Sequence, residues 1–239
     1  MHFGCLLISE NNSEETIYEE MEKYSECSEE YFELEDYTDE VIKKYNCEID
    51  TIKRNNGEFS FELKNFLEQY PNLSEYADKE FGYATHKMEG GERYGYLNNP
   101  NSFYDWCVIG GRWRLMLSNK NNEVITSFKL KDLNFENNGF IKYFSEIWNK
   151  IFDKNYICKN REEEIDFKDY RAIIESEQLT KEDFIDKYKS YNLSGIEWIV
   201  WPDGEEMFET SKKEPVIERL KELQKKYPEH YITVIDCHV

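Results

Sequence analysis

Three polar residues at the two ends of the chain, His2, Asp236 and His238, have the chemistry for proton transfer. Imidazole titrates near neutral pH, and a carboxylate bonded to one ring nitrogen fixes which nitrogen carries the proton. Alternate residues of a strand share a face, so Asp236 and His238 point to one side and Cys237 to the other. If the first and last strands are neighbours, His2 joins the pair. Such a trio can run acid–base chemistry or ligate a metal. Cys237 turned towards a base is an alternative nucleophile, and polar residues decorating a strand end are the plain alternative. The four histidines form no H-x-x-x-H spacing, and neither C-x-x-C nor the G-x-S-x-G elbow occurs. No motif therefore calls for a metal or a cofactor.

A second candidate lies mid-chain at Gly110-Gly111-Arg112-Trp113-Arg114, preceded by Tyr94, Tyr96, Tyr104, Asp105 and Trp106. Paired glycines between aromatic runs answer a geometric need, either a tight turn or the close approach of backbone to something bound. Backbone N–H groups and the Arg112 guanidinium can hold a phosphate or carboxylate there, with Trp106 and Trp113 stacking on a ring. The other reading is a bulged hairpin in which Arg112 pairs with Asp105 and the aromatic residues are core. The phosphate-loop pattern G-x-x-x-x-G-K-S/T and the dinucleotide pattern G-x-G-x-x-G are both missing.

These residues need a sheet to position them. Phe3 to Ile8 and Tyr231 to Val239 are short apolar runs that suit buried, adjacent strands. Between them, Phe103 to Ile109, Trp113 to Leu117 and Val124 to Leu130 read as a three-stranded meander with the glycines at a corner. Ile196 to Trp201 and Glu206 to Glu209 flank the turn Pro202-Asp203-Gly204. Helices are expected after Asn12, whose capping partner would be Glu15. Others are expected from Phe61 to Tyr70, from Phe140 to Phe152, and as two helices between Glu162 and Tyr191 that break near Leu179-Thr180. A last one begins at Pro215 and runs to Tyr227. The pattern predicts one continuous α+β domain over residues 1–239, with an antiparallel or mixed sheet, helices packed on one face, and the terminal strands adjacent. An acidic helix or loop excursion occupies about residues 10–50.

Charge is the largest compositional signal. The 239 residues carry fifty carboxylates and a formal net charge of −20, which repels a phosphate backbone and argues against direct nucleic-acid binding. Glu10 to Glu40 holds 14 acids and one lysine, Lys23. Glu29, Glu30, Glu33 and Glu35 are the candidates there for contact with a basic partner. No apolar run approaches the roughly 20 residues that span a bilayer. The start has no basic region ahead of its apolar run, so a cytoplasmic location without membrane attachment is expected. Six dispersed cysteines read as free thiols.

At these same residues the chain resembles a family of bacteriophage and mobile-element proteins. Its members open with a His-Phe strand, matched by His2, Phe3 and Leu6 to Ile8. They carry a central run matched by Tyr94 to Tyr96, Asn99 to Asn101, Asp105-Trp106 and Ile109 to Trp113, and close on an apolar strand matched by Asp236 to His238. Tyr104 stands where a tryptophan is usual and Cys107 where a tyrosine is usual. The segment Glu10 to Glu40 has no counterpart. The resemblance implies a mobile-element origin and a shared site, without a reaction. Together with the charge it predicts an accessory protein that binds a basic host protein surface or a small anionic ligand. One form would be a counter-defence inhibitor with a nucleic-acid-mimicking acidic surface. The alternative is an enzyme acting on a nucleotide-like or phosphate-bearing small molecule through the histidines, Asp236 and Arg112. A virion component is a third possibility, made less attractive by the lack of repeats or heptads.

Overall fold

A computed structural model describes residues 1–189, 193–209 and 212–239, the side chain of residue 162 excepted. Contacts divide the chain into two compact units, Met1–Ser25 with Phe103–Val239, and Glu26–Ser102. The first unit opens with β1 (His2–Ser9) and α1 (Glu14–Glu22). The second unit then runs through β2 (Glu33–Asp36), α2 (Thr38–Asn56), α3 (Phe61–Gln69), α4 (Leu73–Phe81), β3 (Ala84–Met88) and β4 (Gly91–Asn98). The first resumes with β5 (Trp106–Ile109), β6 (Ser127–Lys129), α5 (Asn138–Phe152), α6 (Arg161–Glu177) and α7 (Lys181–Lys189). It closes with β7 (Ile196–Trp201), β8 (Gly204–Met207), α8 (Lys213–Lys226) and β9 (Tyr231–His238).

The class is α+β, as the pattern predicts, and the terminal strands are neighbours. In the six-stranded sheet the order is β5-β9-β1-β7-β8, with β6 also on β9. β1 runs antiparallel to β9, with Leu6 opposite Val234, and parallel to β7. Helices cover both faces of this sheet rather than one. On one face Ile17 and Met21 of α1 pack on Phe3, Cys5, Leu7, Ile235 and Cys237. On the other, Val216, Leu220 and Leu223 of α8 pack on Leu6, Ile8, Ile232 and Val234. Runs such as Cys5-Leu6-Leu7-Ile8 have no polar alternate, so both faces must be buried. Each buried aliphatic side chain contributes about 1.5–3 kcal/mol, and a single layer of helices would forgo half of that.

The expected meander does not form. β5 and β6 follow one another along the same edge of β9 and do not pair with each other. Gly110 and Gly111 have φ of +75° and +46° and turn the chain out of the sheet. Gly111–Trp113 is a single 3-10 turn, so the strand expected from Trp113 to Leu117 is replaced by turns. Smaller differences occur at helix ends. Ser13, not Asn12, caps α1, accepting from the Thr16 N–H. α8 begins two residues ahead of Pro215. The break near Leu179-Thr180 is as expected, with Thr180 Oγ1 accepting from the Asp183 N–H at 3.2 Å and Asp183 Oδ2 accepting from the Thr180 N–H at 3.1 Å. Tyr191, the expected end of α7, lies outside the described residues.

The second unit has a three-stranded sheet in the order β2-β4-β3 and its own core of Val41, Phe66, Tyr70, Tyr76, Ala77 and Tyr94. No helix among the described residues is long and apolar enough to cross a membrane.

Candidate active site

The start of β1 and the end of β9 lie side by side, with His2 opposite His238 and Gly4 opposite Asp236. Across the other edge of β9, β5 places Trp106 opposite His238 and Val108 opposite Asp236. Directly opposed residues share a face. His2, Asp236, His238 and Trp106 therefore gather at one end of the sheet face that buries Leu6 and Val234.

Their geometry is specific. His2 Nδ1 lies 3.0 Å from Asp236 Oδ1. His238 Nδ1 lies 3.0 Å from Asp105 Oδ1 and 3.1 Å from its Oδ2. The two imidazole centroids are 4.8 Å apart. Trp106 stacks on His238 at 5.2 Å and meets the His2 ring edge-on at 5.3 Å. A carboxylate only accepts, so each Nδ1–H donates to its carboxylate and the lone pair of each imidazole lies on Nε2. No hydrogen bond engages either Nε2 among the described residues. No match to a protein-family model, a curated protein or a solved structure is found.

Asp236 joins this cluster to the glycine corner. It is only 2 % exposed, and its second oxygen accepts from the Arg112 backbone N–H at 2.9 Å. A Cβ on Gly111 would fall 2.4 Å from Asp236 Oδ2. Gly110 therefore makes the expected turn, and Gly111 clears space for a buried carboxylate of the same chain. Asp105 is held by its own pairings. Desolvation raises its pKa, but the bonds from His238 and from the Trp106 N–H outweigh it, and the carboxyl titrates below its usual range.

One expectation for the corner is corrected. Arg112 does not pair with Asp105, because the register of β5 on β9 gives Asp105 to His238. The Arg112 side chain is instead exposed, without an ion pair among the described residues. The structural arginine is Arg114, bonded to Asp166 Oδ2 at 2.5 Å and to the Gly111 carbonyl at 3.1 Å. The alternative nucleophile Cys237 is fully buried on the opposite face, and a bond to Cys5 together with burial raises its thiol pKa. Burial likewise pushes Cys107, its cross-strand neighbour, up to about 11.

The aromatic residues divide between roles. Trp106 is 45 % exposed, whereas Tyr104 is core and its hydroxyl donates to the Met21 carbonyl at 2.9 Å. Trp113 packs against Gly4 and Gly195. Tyr94 and Tyr96 belong to the second unit, the first in its core and the second exposed. Glu29, Glu30, Glu33 and Glu35 are all exposed on that unit, the last two on β2, an edge strand. Sequence reasoning missed Asp166, Tyr170 and Gly195 beside Arg112. Asp166 and Tyr170 sit in a charged helix with no local signal, and only Gly195, another positive-φ position, carries a trace of one.

Proposed function

We propose that the protein is an enzyme that transfers protons at a phosphoester or similar anionic small molecule, with His2 and His238 as the acid–base pair. The observation that carries this reading is the pair of adjacent imidazoles, each held through Nδ1 by a carboxylate, with both Nε2 atoms unengaged. One imidazole takes a proton from an attacking hydroxyl or water as the new P–O bond forms. The other, protonated, gives its proton to the departing oxygen as the old P–O bond breaks. Asp236 and Asp105 fix the tautomers and stabilise each ring when it carries charge. Trp106 supplies a face for a ring.

Bis(p-nitrophenyl) phosphate and p-nitrophenyl phosphate are suitable generic probes. Turnover is expected in the native protein, with kcat lowered about 10²- to 10⁴-fold in His2→Ala and in His238→Ala. Absence of turnover of both probes, or full activity in both variants, overturns the reading.

A second reading, capture of a basic protein surface, is favoured by the exposure of Glu29, Glu30, Glu33 and Glu35. Charges on an edge strand also block unwanted strand pairing, so exposure alone supports it weakly. Affinity for protamine as a basic probe should then fall steeply with added salt, because exposed charges are screened beyond about 10 Å at 0.1 M. It should fall again when the four glutamates become glutamine. Binding indifferent to both changes removes this reading.

A further inference from the structure

The corner that anchors on Asp236 through the Arg112 backbone also presents the Arg112 side chain to a separate cleft. This cleft measures about 500 Å³ and is lined in part by Arg112, Trp113, Arg114, Met116, Tyr170 and Gly195. Its charges are unevenly answered. Arg114 is matched by Asp166 at 2.5 Å. Arg112 has no ion pair among the described residues, so its five planar donors are open to an anion. The Trp113 indole N–H is buried and has no acceptor among the described residues. A buried donor left unpaired is costly. The rest of the wall is apolar or aromatic from Trp113, Leu115, Met116 and Tyr170, with Ser194 as a further polar residue.

We propose that this cleft seats a small ring compound carrying one anionic group, a phosphate or a carboxylate. The ring would lie among Trp113, Tyr170 and Met116, with the anion on Arg112. The volume is within the range of small-molecule sites, about 300–1,000 Å³. A single unmatched cation suits one anionic group, and the chain's net charge of −20 disfavours a polyanion. The proposal stands apart from the acid–base reading, because none of His2, His238, Asp236, Asp105 and Trp106 lines this cleft.

Titration calorimetry with AMP, adenosine, indole-3-carboxylate and inorganic phosphate tests the seat. At least one ring anion should bind, and AMP against indole-3-carboxylate distinguishes phosphate from carboxylate. Adenosine and inorganic phosphate should each bind about 10-fold or more weakly, since each lacks one half of the recognition. Arg112→Gln should lower affinity at least about 10-fold, and Arg112→Lys, which keeps charge but loses the fork, by a smaller factor. Arg112 is exposed, so both variants should unfold at the native urea midpoint. His238→Ala separates the two proposals: it should bind the ring anion like the native protein while losing phosphoester turnover. Binding with unaltered turnover in His238→Ala leaves the seat standing and removes the acid–base reading. Failure of both ring anions to bind, equal affinity for adenosine and AMP, or native affinity in Arg112→Gln overturns the seat.

Discussion

Asp236→Ala is expected to destabilise the first unit by about 2–6 kcal/mol, because it strands two donors that each cost about 1–3 kcal/mol when unsatisfied. Asp236 is 2 % exposed, and its two oxygens serve two donors, the His2 ring and the Arg112 N–H. Truncation leaves both donors unanswered and opens space beneath Gly111. Asp236→Asn retains the carbonyl oxygen, so about 1–3 kcal/mol is expected, the cost of one unsatisfied buried group. Gly111→Ala attacks the same contact from the other side, since its Cβ would sit 2.5 Å from Asp236 Cβ, at a φ of +46°. Because Asp236→Ala vacates part of that space, the double variant should be less destabilised than the sum of the singles. Urea midpoints at constant m-value measure all four proteins. A loss below about 1 kcal/mol in Asp236→Ala, the scale of an ordinary exposed hydrogen bond, would mean that the carboxylate does not hold the corner.

Gly195→Ala should be comparably harmful for a different reason. Its Cβ would fall 2.4 Å from Trp113 Cζ3 and 2.7 Å from Cη2, and the residue has φ of +72°. A left-handed backbone costs a non-glycine residue about 1–2 kcal/mol. Overpacking adds about 1–3 kcal/mol, so a total of about 2–5 kcal/mol is expected. Trp113 also forms a wall of the cleft beside Arg112, so its near-ultraviolet dichroism and the affinity for a ring anion should change together. Trp113→Phe removes the outer ring that collides with the new methyl group, and the double variant should recover part of the loss. A native urea midpoint and an unchanged tryptophan signal in Gly195→Ala would show that Trp113 is not seated against this glycine.

Much of the fold is legible wherever local chemistry is decisive. The stripe Phe140, Phe144, Ile147 and Ile151 gives α5 at helical spacing, and all four residues are buried. Pro202-Asp203-Gly204 gives the β7–β8 hairpin, where Trp201 pairs with Gly204. The two terminal apolar runs give adjacent strands, because each needs a sheet interior. Their adjacency then puts His2 on the face that carries Asp236 and His238, by alternation and the antiparallel register of β1 on β9. α2 was not anticipated, although Val41, Tyr45, Ile49 and Ile52 recur at helical spacing and pack on the core of the second unit.

The partners of the polar groups belong to another level. Proximity in sequence suggested Arg112 with Asp105, seven positions apart, yet Asp105 meets His238 and Arg114 meets Asp166. Those choices follow from the register of β5 on β9 and the packing of α6, which no local propensity encodes. The sequence by itself determined the α+β class, the neighbouring terminal strands and the face shared by Asp236 and His238, since apolar pattern and strand period suffice for these. Tertiary structure alone decided that Gly111 yields to a buried carboxylate, that Arg112 is left unpaired beside a cleft, and that two imidazoles are each oriented by a carboxylate. Each of those depends on side chains distant in the chain meeting at hydrogen-bond range, and that is set by how the layers pack.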